Sequence, residues 1–406
     1  MRILFVTEQY PYPLHDGGNL RTYHVLRGLA REHDVWLVSH QSREDPAAAS
    51  AALEGMCRIT TVPEPAVWRR TLDSLVKRGL RRHPLFVLKN WSAPLLRAAE
   101  SLLEEHPFDA IHFNMLDTAC YALAHCWPQL KVFDSHNCLW TMAARASQNH
   151  CGGPWRWILG REAAKLRETE QAVCRCMDQT LVCSAEDAAL FRNLDATGSY
   201  AVVPNGVDTQ YFRPNGSIGE EPGAVAFVGT MAYYPNEEAA LHFCHHVMPL
   251  LKDCRPPLRL FLVGKDPPAS VRALHDGESI VVTGRVDDVR PYLERAQVVV
   301  VPLRTGGGTR LKILEAFSMG KAVVSTSLGA QGIPARGGKE ILLADDPESF
   351  ARQVRRLLAS ATLRTTLGQS AQRFVRERFD WGCVHDALLE AYRSLVGCKS
   401  DKCLSA

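Results

Sequence analysis

The sequence lacks a strong excess of charge of either sign. Its 406 residues include 47 lysines and arginines against 44 aspartates and glutamates, so the formal net charge is only +3. Nucleic-acid-binding domains usually concentrate positive charge on one face, and nothing in this composition requires such a face. We therefore expect no nucleic-acid partner.

Long hydrophobic runs are also missing. The apolar run at residues 3–6 is stopped by Glu8, and no segment reaches the roughly 20 apolar residues that span a bilayer. We expect a cytoplasmic protein, with peripheral contact at the inner face of a membrane as an open alternative. Residues 67–82 mix apolar and basic side chains, which suits either a membrane-bound or acceptor-binding helix or an ordinary surface helix. Trp155 and Trp157 suit an interfacial position, buried packing or an acceptor loop.

Paired metal-binding motifs are absent. The 13 cysteines are irregularly spaced, and neither Cys174 with Cys176 nor Cys398 with Cys403 has a matching second pair for zinc. We expect reduced thiols that serve as small core residues. Because the sequence also lacks an Asp-x-Asp motif, we expect no metal and no other cofactor.

Short apolar runs alternate with helical patterns along the whole chain. Such alternation predicts parallel sheets covered by helices on both faces, and 406 residues suit two domains. We expect an N-terminal domain over residues 1–205, a C-terminal domain over 206–380 and a final helix at 381–406 that packs back toward the first domain. The predicted strands lie at 2–7, 35–38, 58–62, 110–113, 132–134, 180–183, 224–228, 258–263, 280–283, 298–301 and 342–344. A helix is predicted over residues 237–248, between the first two strands of the C-terminal domain.

Glycines stop three predicted strands of the C-terminal half, at Gly229, Gly264 and Gly284. Glycine permits a close approach of the backbone to another group, and ligands of open α/β sheets bind beyond the carboxyl ends of the strands. A ligand site is therefore expected at this edge of the second sheet.

The most unusual composition lies at residues 298–324, VVVVPLRTGGGTRLKILEAFSMGKAVV. The glycines let the backbone N–H groups of Gly308, Thr309 and Arg310 turn toward an anion at the start of a helix. Arg310 and Lys312 add full positive charges, which suits a diphosphate. The alternative is a plain glycine turn beside a solvated helix face.

Glu315 lies further along the same predicted helix. At this distance from the helix start its carboxylate suits hydrogen bonds from a vicinal diol such as that of ribose. The loop matches neither the phosphate-binding loop Gly-x4-Gly-Lys-Ser/Thr nor the dinucleotide fingerprint Gly-x-Gly-x-x-Gly.

These segments resemble glycosyltransferase family 4. In the C-terminal half, the resemblance is carried by residues 282–292, 301–316, 319–326 and 329–333. The linker 204–208, the segment 227–236 at the start of the C-terminal domain and the loop holding Gly17 and Gly18 are similar to the same family. It implies a GT-B fold, in which two Rossmann-like doubly wound α/β domains face each other across a cleft. The C-terminal domain would hold a nucleotide-sugar donor, and the N-terminal domain would bind a glycan or lipid-linked acceptor.

The resemblance also assigns residues. Glu315 corresponds to the second glutamate of the family's Glu-x7-Glu motif, whereas the first falls on Gly307 and leaves recognition of the sugar unassigned. The family's Arg and Lys after the first C-terminal strand are missing beyond Gly229, so Arg310 and Lys312, with Arg285 or Arg304, would supply positive charge. His136 and Gly18 are the implied catalytic residues. The implied donor-binding residues are Gly17, Gly18, Thr230, Asn236, Arg285, Gly307, Gly308, Thr309, Arg310, Leu311, Lys312 and Glu315.

The expected function is therefore a retaining hexosyltransferase of polysaccharide biosynthesis. Two alternatives stay open. A nucleotide-sugar epimerase would need acid and base carboxyl groups that the sequence does not place. A non-catalytic nucleotide-sugar-binding subunit of a polysaccharide assembly system would be compatible with Gly307.

Overall fold

The computed structural model describes residues 1–14, 16–42, 46–64, 83–149, 154–216 and 218–404. The chain divides into two compact units, one formed by Met1–Pro204 with Val384–Ala406 and the other by Asn205–Cys383. The proposed amphipathic helix at 67–82 lies outside the described residues, as does the side chain of Trp155. Trp157 is 64% exposed, so it is not a core residue.

The first unit is built on a parallel sheet, which has seven strands in the described part of the chain. Their order is β3-β2-β1-β4-β5-β6-β7, so the chain reverses its direction of progress between the adjacent strands β1 and β4. The strands are β1 (Arg2–Val6), β2 (Asp34–His40), β3 (Arg58–Val62), β4 (Ala110–Asn114), β5 (Leu130–Ser135), β6 (Gln179–Val182) and β7 (Tyr200–Val202).

Helices connect these strands and cover the sheet. The α-helices of this unit are Gly17–Leu29, Pro46–Leu53, Leu85–Asn90, Ala93–Glu105, Met115–Ala119, Leu139–Asn149, Pro154–Cys176, Ala185–Leu194 and the C-terminal helix Trp381–Leu404, most of which clusters with this unit. Strands such as β1 are apolar without alternation because both faces of the sheet are buried.

The second unit repeats the plan with six strands in the order β10-β9-β8-β11-β12-β13 among its described residues. They are β8 (Ala224–Val228), β9 (Arg259–Val263), β10 (Ile280–Gly284), β11 (Val298–Val301), β12 (Val323–Ser325) and β13 (Leu342–Leu343). Its α-helices are Tyr234–His242, Ala269–Arg272, Arg290–Arg295, Leu311–Ser318, Pro347–Ala359 and Ala361–Arg378. The predicted fold class, two parallel α/β domains, is confirmed.

Several local expectations are wrong. Gly17 and Gly18 form the first turn of a helix rather than a preceding loop, because the Asp16 carboxylate accepts a hydrogen bond from the Asn19 N–H at 2.9 Å and caps the helix at this point. The helix expected over 237–248 begins earlier, at Tyr234, and changes to π and 3-10 geometry from Phe243 onward.

The cysteines match the core expectation only in part. Cys120, Cys138, Cys174, Cys183 and Cys244 are buried, but Cys126 and Cys383 are exposed. In the part of the chain that the structure describes, no helix has the length and apolar character needed to cross a membrane.

Candidate functional site

The glycine loop, residues 302–310, lies at the switch point of the second sheet, which is where the order of strands changes direction between β8 and β11. Strands β8 and β11 are parallel neighbours there, and the chain leaves both at the same edge, through Gly229 and through the loop 302–310. This is where open α/β sheets bind their ligands, because the two loops diverge and leave a crevice.

Two glycines of the loop are needed for its backbone. Gly306 and Gly308 have φ angles of +98° and +77°, in the left-handed region that favours glycine. Gly307 plays a different part, since its carbonyl accepts a hydrogen bond from the Arg310 guanidinium. Arg310 is buried, so its charge is held beneath the loop at the start of the helix Leu311–Ser318.

Lys312 reaches from this helix to the end of β8. Its Nζ donates to Asn236 Oδ1 at 2.6 Å, and Asn236 Nδ2 donates to the Thr230 carbonyl at 2.8 Å. The ammonium also lies 4.5 Å from the centre of the Phe227 ring. A Cβ atom at Gly229 would lie 2.7 Å from Lys312 Nζ, so a larger residue there would displace the lysine side chain.

Burial changes the ionisation of Lys312 and Glu315. Burial, helped by the Arg310 guanidinium, lowers the pKa of Lys312 to about 7. Burial raises the pKa of Glu315 to about 7, against the opposing effect of Lys312. The charge of Lys312 therefore depends on pH close to neutrality, and an anionic ligand would favour the protonated form.

A hydroxyl group in this loop lacks a partner. Thr309 Oγ1 is buried and has no hydrogen bond to any described residue. Buried polar atoms of this kind are uncommon and mark places where a ligand or water completes the structure. The expected residues Thr230, Asn236, Arg310, Lys312 and Glu315 therefore share one site with the glycine loop.

Two further candidates lie apart from this cluster. Arg285 is exposed just after β10, an edge strand separated from β8 by β9. Arg304 is half exposed and contacts Glu238 Oε1 at 3.3 Å and His242 Nδ1 at 3.1 Å. Neither makes a hydrogen bond to Lys312 or Asn236 among the described contacts. Among all the residues that the structure describes, no group of three or more His, Cys, Asp or Glu side chains is arranged to hold a metal ion.

His136 lies at the corresponding edge of the first sheet, directly after β5. Its Nε2 is 3.0 Å from Asn114 Oδ1 and 3.5 Å from Asp134 Oδ2. Asp134 is fully buried and is held by Arg21 at 2.5 Å. Burial by itself would raise the pKa of Asp134, but the charge of Arg21 outweighs it and keeps that pKa well below its usual range.

His136, Asn114, Asp134 and Arg21 form one connected set of side chains, the His136 group. Hydrogen bonds also join Gly18 to this group. The Thr22 hydroxyl donates to the Gly18 carbonyl at 2.9 Å, and Asn114 Nδ2 donates to the Thr22 oxygen at 3.2 Å. Because Asn114 also contacts His136, the structure brings the two expected N-terminal residues into one hydrogen-bonded group. Gly17 precedes Gly18 in the exposed first turn of the helix.

The sequence interpretation missed several residues of the N-terminal group. Arg21 is an arginine within a helical pattern, and its burial is set by Asp134, which is far away in sequence. The sequence does indicate Asn114 as a candidate, because it is a polar residue directly after an apolar run.

A strained residue and a second acidic group lie next to Asn114. Met115 has a φ angle of +71°, which is strained for a residue with a side chain. Burial and the nearby Glu8 carboxylate raise the pKa of Asp117 to about 8. Asp117 and Glu8 therefore oppose each other's ionisation.

Two sequence models of known families match the chain. The model described as Glycosyltransferase Family 4 matches residues 15–211, and that described as Glycosyl transferases group 1 matches residues 222–360. The matches cover most of each compact unit.

Curated relatives agree with this assignment. A D-inositol 3-phosphate glycosyltransferase from Acidothermus cellulolyticus is 24% identical over 410 residues, which covers 94% of this chain and 86% of that protein. An uncharacterized protein of the cps region of Klebsiella pneumoniae (23% identical) and an uncharacterized glycosyltransferase of Methanocaldococcus jannaschii (31% identical) align over 38% and 25% of this chain. Those two alignments span only 42% and 27% of the relatives' own lengths.

Solved structures share the fold. Sucrose-phosphate synthase from Thermosynechococcus elongatus has a TM-score of 0.74 at 16% identity, covering 98% of this chain and 100% of that chain. HepE from Anabaena, in complex with UDP-glucose, has a TM-score of 0.65 at 15% identity, covering 97% and 100%. At these identities the likeness establishes the architecture alone.

Proposed function

Because the chain belongs to glycosyltransferase family 4, we propose that it moves a hexose from a nucleotide-sugar donor to a glycan or lipid-linked acceptor with retention of anomeric configuration. The observation that carries the proposal is the cluster of Lys312, Asn236 and Gly229 beside the glycine loop. It concentrates cationic and polar groups at the switch point of the second domain.

A diphosphate matches the chemistry of this cluster. Arg310 and Lys312 supply positive charge, and the Thr309 hydroxyl and the first N–H groups of the helix Leu311–Ser318 are donors for phosphate oxygens. Glu315 is assigned to the ribose hydroxyls. Since HepE was solved with UDP-glucose, UDP-glucose is the first donor to test.

Catalysis in this proposal depends on the leaving group. When the bond between the anomeric carbon and the diphosphate breaks, negative charge develops on the diphosphate, and fixed cations stabilise it. Lys312 is suited to this role because a bound diphosphate favours its protonated form, which places a cation against the leaving group. The family resemblance assigns His136 to the donor sugar, and Gly17 and Gly18 to the donor phosphate.

The proposed reaction needs no metal. We expect donor turnover to continue after treatment with EDTA, since Arg310 and Lys312 would carry out the neutralising role that a divalent cation has in other transferases. Strict dependence on added manganese would contradict this part of the proposal.

The deciding experiment incubates the purified protein with a panel of nucleotide sugars and measures release of the nucleoside diphosphate. Slow release by hydrolysis or transfer supports a transferase. Reversible isomerisation of the sugar would instead identify an epimerase, and binding without turnover a non-catalytic subunit. NMR of the transferred sugar then tests retention, which an inverted anomeric configuration would contradict.

Lys312→Ala tests the site itself. We expect the affinity for the nucleoside diphosphate, measured by calorimetry, to fall about 10- to 100-fold, since a charge-assisted hydrogen bond is lost. Lys252→Ala is the matched control, because Lys252 is an exposed lysine of the same domain. Equal affinities of the two variants would remove Lys312 from the site.

A further inference from the structure

A buried tyrosine of the C-terminal helix contacts the strand next to the His136 group. Tyr392, on the helix Trp381–Leu404, is 1% exposed, and its hydroxyl is 2.8 Å from His112 Nδ1. His112 is a fully buried residue of β4, and its ring stacks on Phe5 with 4.3 Å between the ring centres. The contact joins residues 280 positions apart in the chain.

His112 is neutral at physiological pH. Burial lowers its pKa to about 4, against the opposing effect of Asp134. A neutral imidazole carries one proton, so one ring nitrogen donates and the other accepts. Its Nε2 lies 4.0 Å from Asp134 Oδ2. A proton on Nε2 is attracted to this carboxylate, whereas a lone pair there would be repelled by it.

The Tyr392 hydroxyl favours the same arrangement. If its O–H donates to Nδ1, the His112 proton must reside on Nε2 and point toward Asp134. Without the hydroxyl, Nδ1 has no partner in either tautomer, so the preference for a proton on Nε2 rests on Asp134 alone and is weaker. Tyr392 therefore strengthens the preference of His112 for a proton on Nε2.

Asp134 links His112 to His136. Arg21 holds its Oδ1 at 2.5 Å, and its Oδ2 lies 4.0 Å from His112 Nε2 and 3.5 Å from His136 Nε2. A change in the His112 tautomer would alter the field and the position of that shared oxygen. Because Asn114 and Asp134 both accept at His136 Nε2, they place a proton on that nitrogen.

We propose that Tyr392 is a positioning residue for His136, acting through the tautomer of His112 and the carboxylate of Asp134. The catalytic consequence rests on the proposed transferase function, whereas the tautomer itself does not. The C-terminal helix then does more than cover the first sheet, since it orients a reactive side chain.

The test compares Tyr392→Phe with wild type in the full-length protein. Nitrogen-15 NMR of the histidine rings reports which nitrogen carries the proton, and His112→Gln and His136→Gln identify the two sets of signals. We expect His112 to be the neutral Nε2–H tautomer in wild type and to shift toward Nδ1–H in Tyr392→Phe, with a displaced His136 signal. Donor turnover should fall about tenfold in kcat with the donor KM within about twofold, as for the loss of an outer hydrogen-bond partner.

Tyr121→Phe is the matched control, since it removes another buried hydroxyl, one that donates to the Ser92 carbonyl at 3.1 Å. It should leave the His112 and His136 signals and kcat unchanged. Three results would overturn the proposal: an Nδ1–H tautomer of His112 in wild type, unchanged His112 and His136 signals in Tyr392→Phe, or the same kcat loss in both variants. The wild-type spectrum decides the tautomer even if Tyr392→Phe folds poorly or no donor is turned over.

Discussion

Lys312 shows how strongly surroundings decide the chemistry of a residue. In sequence it is one lysine of a helix that also carries Glu315. In the structure it lies at the end of β8, against Asn236 and the Phe227 ring, where burial brings its pKa to about 7. This position lies next to Thr230, where the family resemblance expects basic residues that the sequence lacks.

The first prediction concerns the pH dependence of donor binding. Lys312 loses its charge as the pH rises through about 7, and Glu315 gains a negative charge over the same interval. Both changes oppose binding of a diphosphate diester, which does not itself titrate there. We expect the affinity for a nucleotide sugar, measured by calorimetry, to fall about tenfold between about pH 6 and pH 8.5.

Substitutions separate the contributions of Lys312 and Glu315 to the pH dependence of the affinity. Glu315→Gln should keep the part of the dependence that comes from Lys312, and adding Lys312→Arg should make the affinity independent of pH. A flat profile in Glu315→Gln alone would show that Lys312 does not titrate in the free protein.

At the scale of elements, a carboxylate of the helix Pro154–Cys176 caps the N-terminus of the neighbouring helix Leu139–Asn149. Glu170, on the helix Pro154–Cys176, accepts the backbone N–H groups of Leu139 and Trp140 at 2.9 Å each. These are donors at the start of the helix Leu139–Asn149 that no turn of that helix can satisfy. The contact fixes how the two helices pack directly after His136.

Glu170→Gln is the second prediction. An amide has one acceptor oxygen where the carboxyl group has two, so one buried N–H loses its partner, and we expect a loss of about 1–2 kcal/mol in the free energy of unfolding. Chemical denaturation measures it. Glu168→Gln, an exposed substitution on the same helix, is the control and should change little.

The difference in stability between wild type and Glu170→Gln should depend on pH, because burial raises the pKa of Glu170 to about 7. A carboxyl group with a raised pKa stabilises the fold most at low pH, and this contribution is lost as the pH rises from about 4.5 toward 7. The difference between wild type and Glu170→Gln should therefore be smaller at pH 8 than at pH 5. A difference that grows with pH would contradict this assignment.

At the scale of the whole molecule, the end of the chain completes the first unit. Val384, Leu388, Tyr392 and Leu395 of the C-terminal helix are buried, and residues from Val384 onward cluster with Met1–Pro204. The first unit is therefore not a continuous segment of sequence. It can form its full core only after the second unit has been synthesised.

The third prediction is that deleting residues 384–406 destabilises the first unit. Each large buried side chain that is removed costs about 1.5–3 kcal/mol, so the sum approaches the 5–15 kcal/mol that stabilises a typical domain. Limited proteolysis should cut the first unit of this variant rapidly. Deleting only residues 398–406 retains the four buried side chains named above and should leave the digestion pattern unchanged. Equal resistance of the two variants would contradict the prediction.

The sequence by itself determined the architecture and the location of the glycine loop. Apolar runs without alternation specify buried parallel strands, and glycines that end strands or turn the loop specify backbone geometry; both are properties of neighbouring residues. The left-handed backbone conformations of Gly306 and Gly308 therefore follow from their local sequence.

Only the tertiary structure decided which side chains meet and how they ionise. Lys312 pairs with a residue 76 positions away, Arg21 with one 113 positions away and Tyr392 with one 280 positions away. Spacing in sequence carries no information about such pairs, because they form only when separate strands and helices pack. The pKa of Lys312 and the tautomer of His112 follow from the burial and the charges that this packing creates.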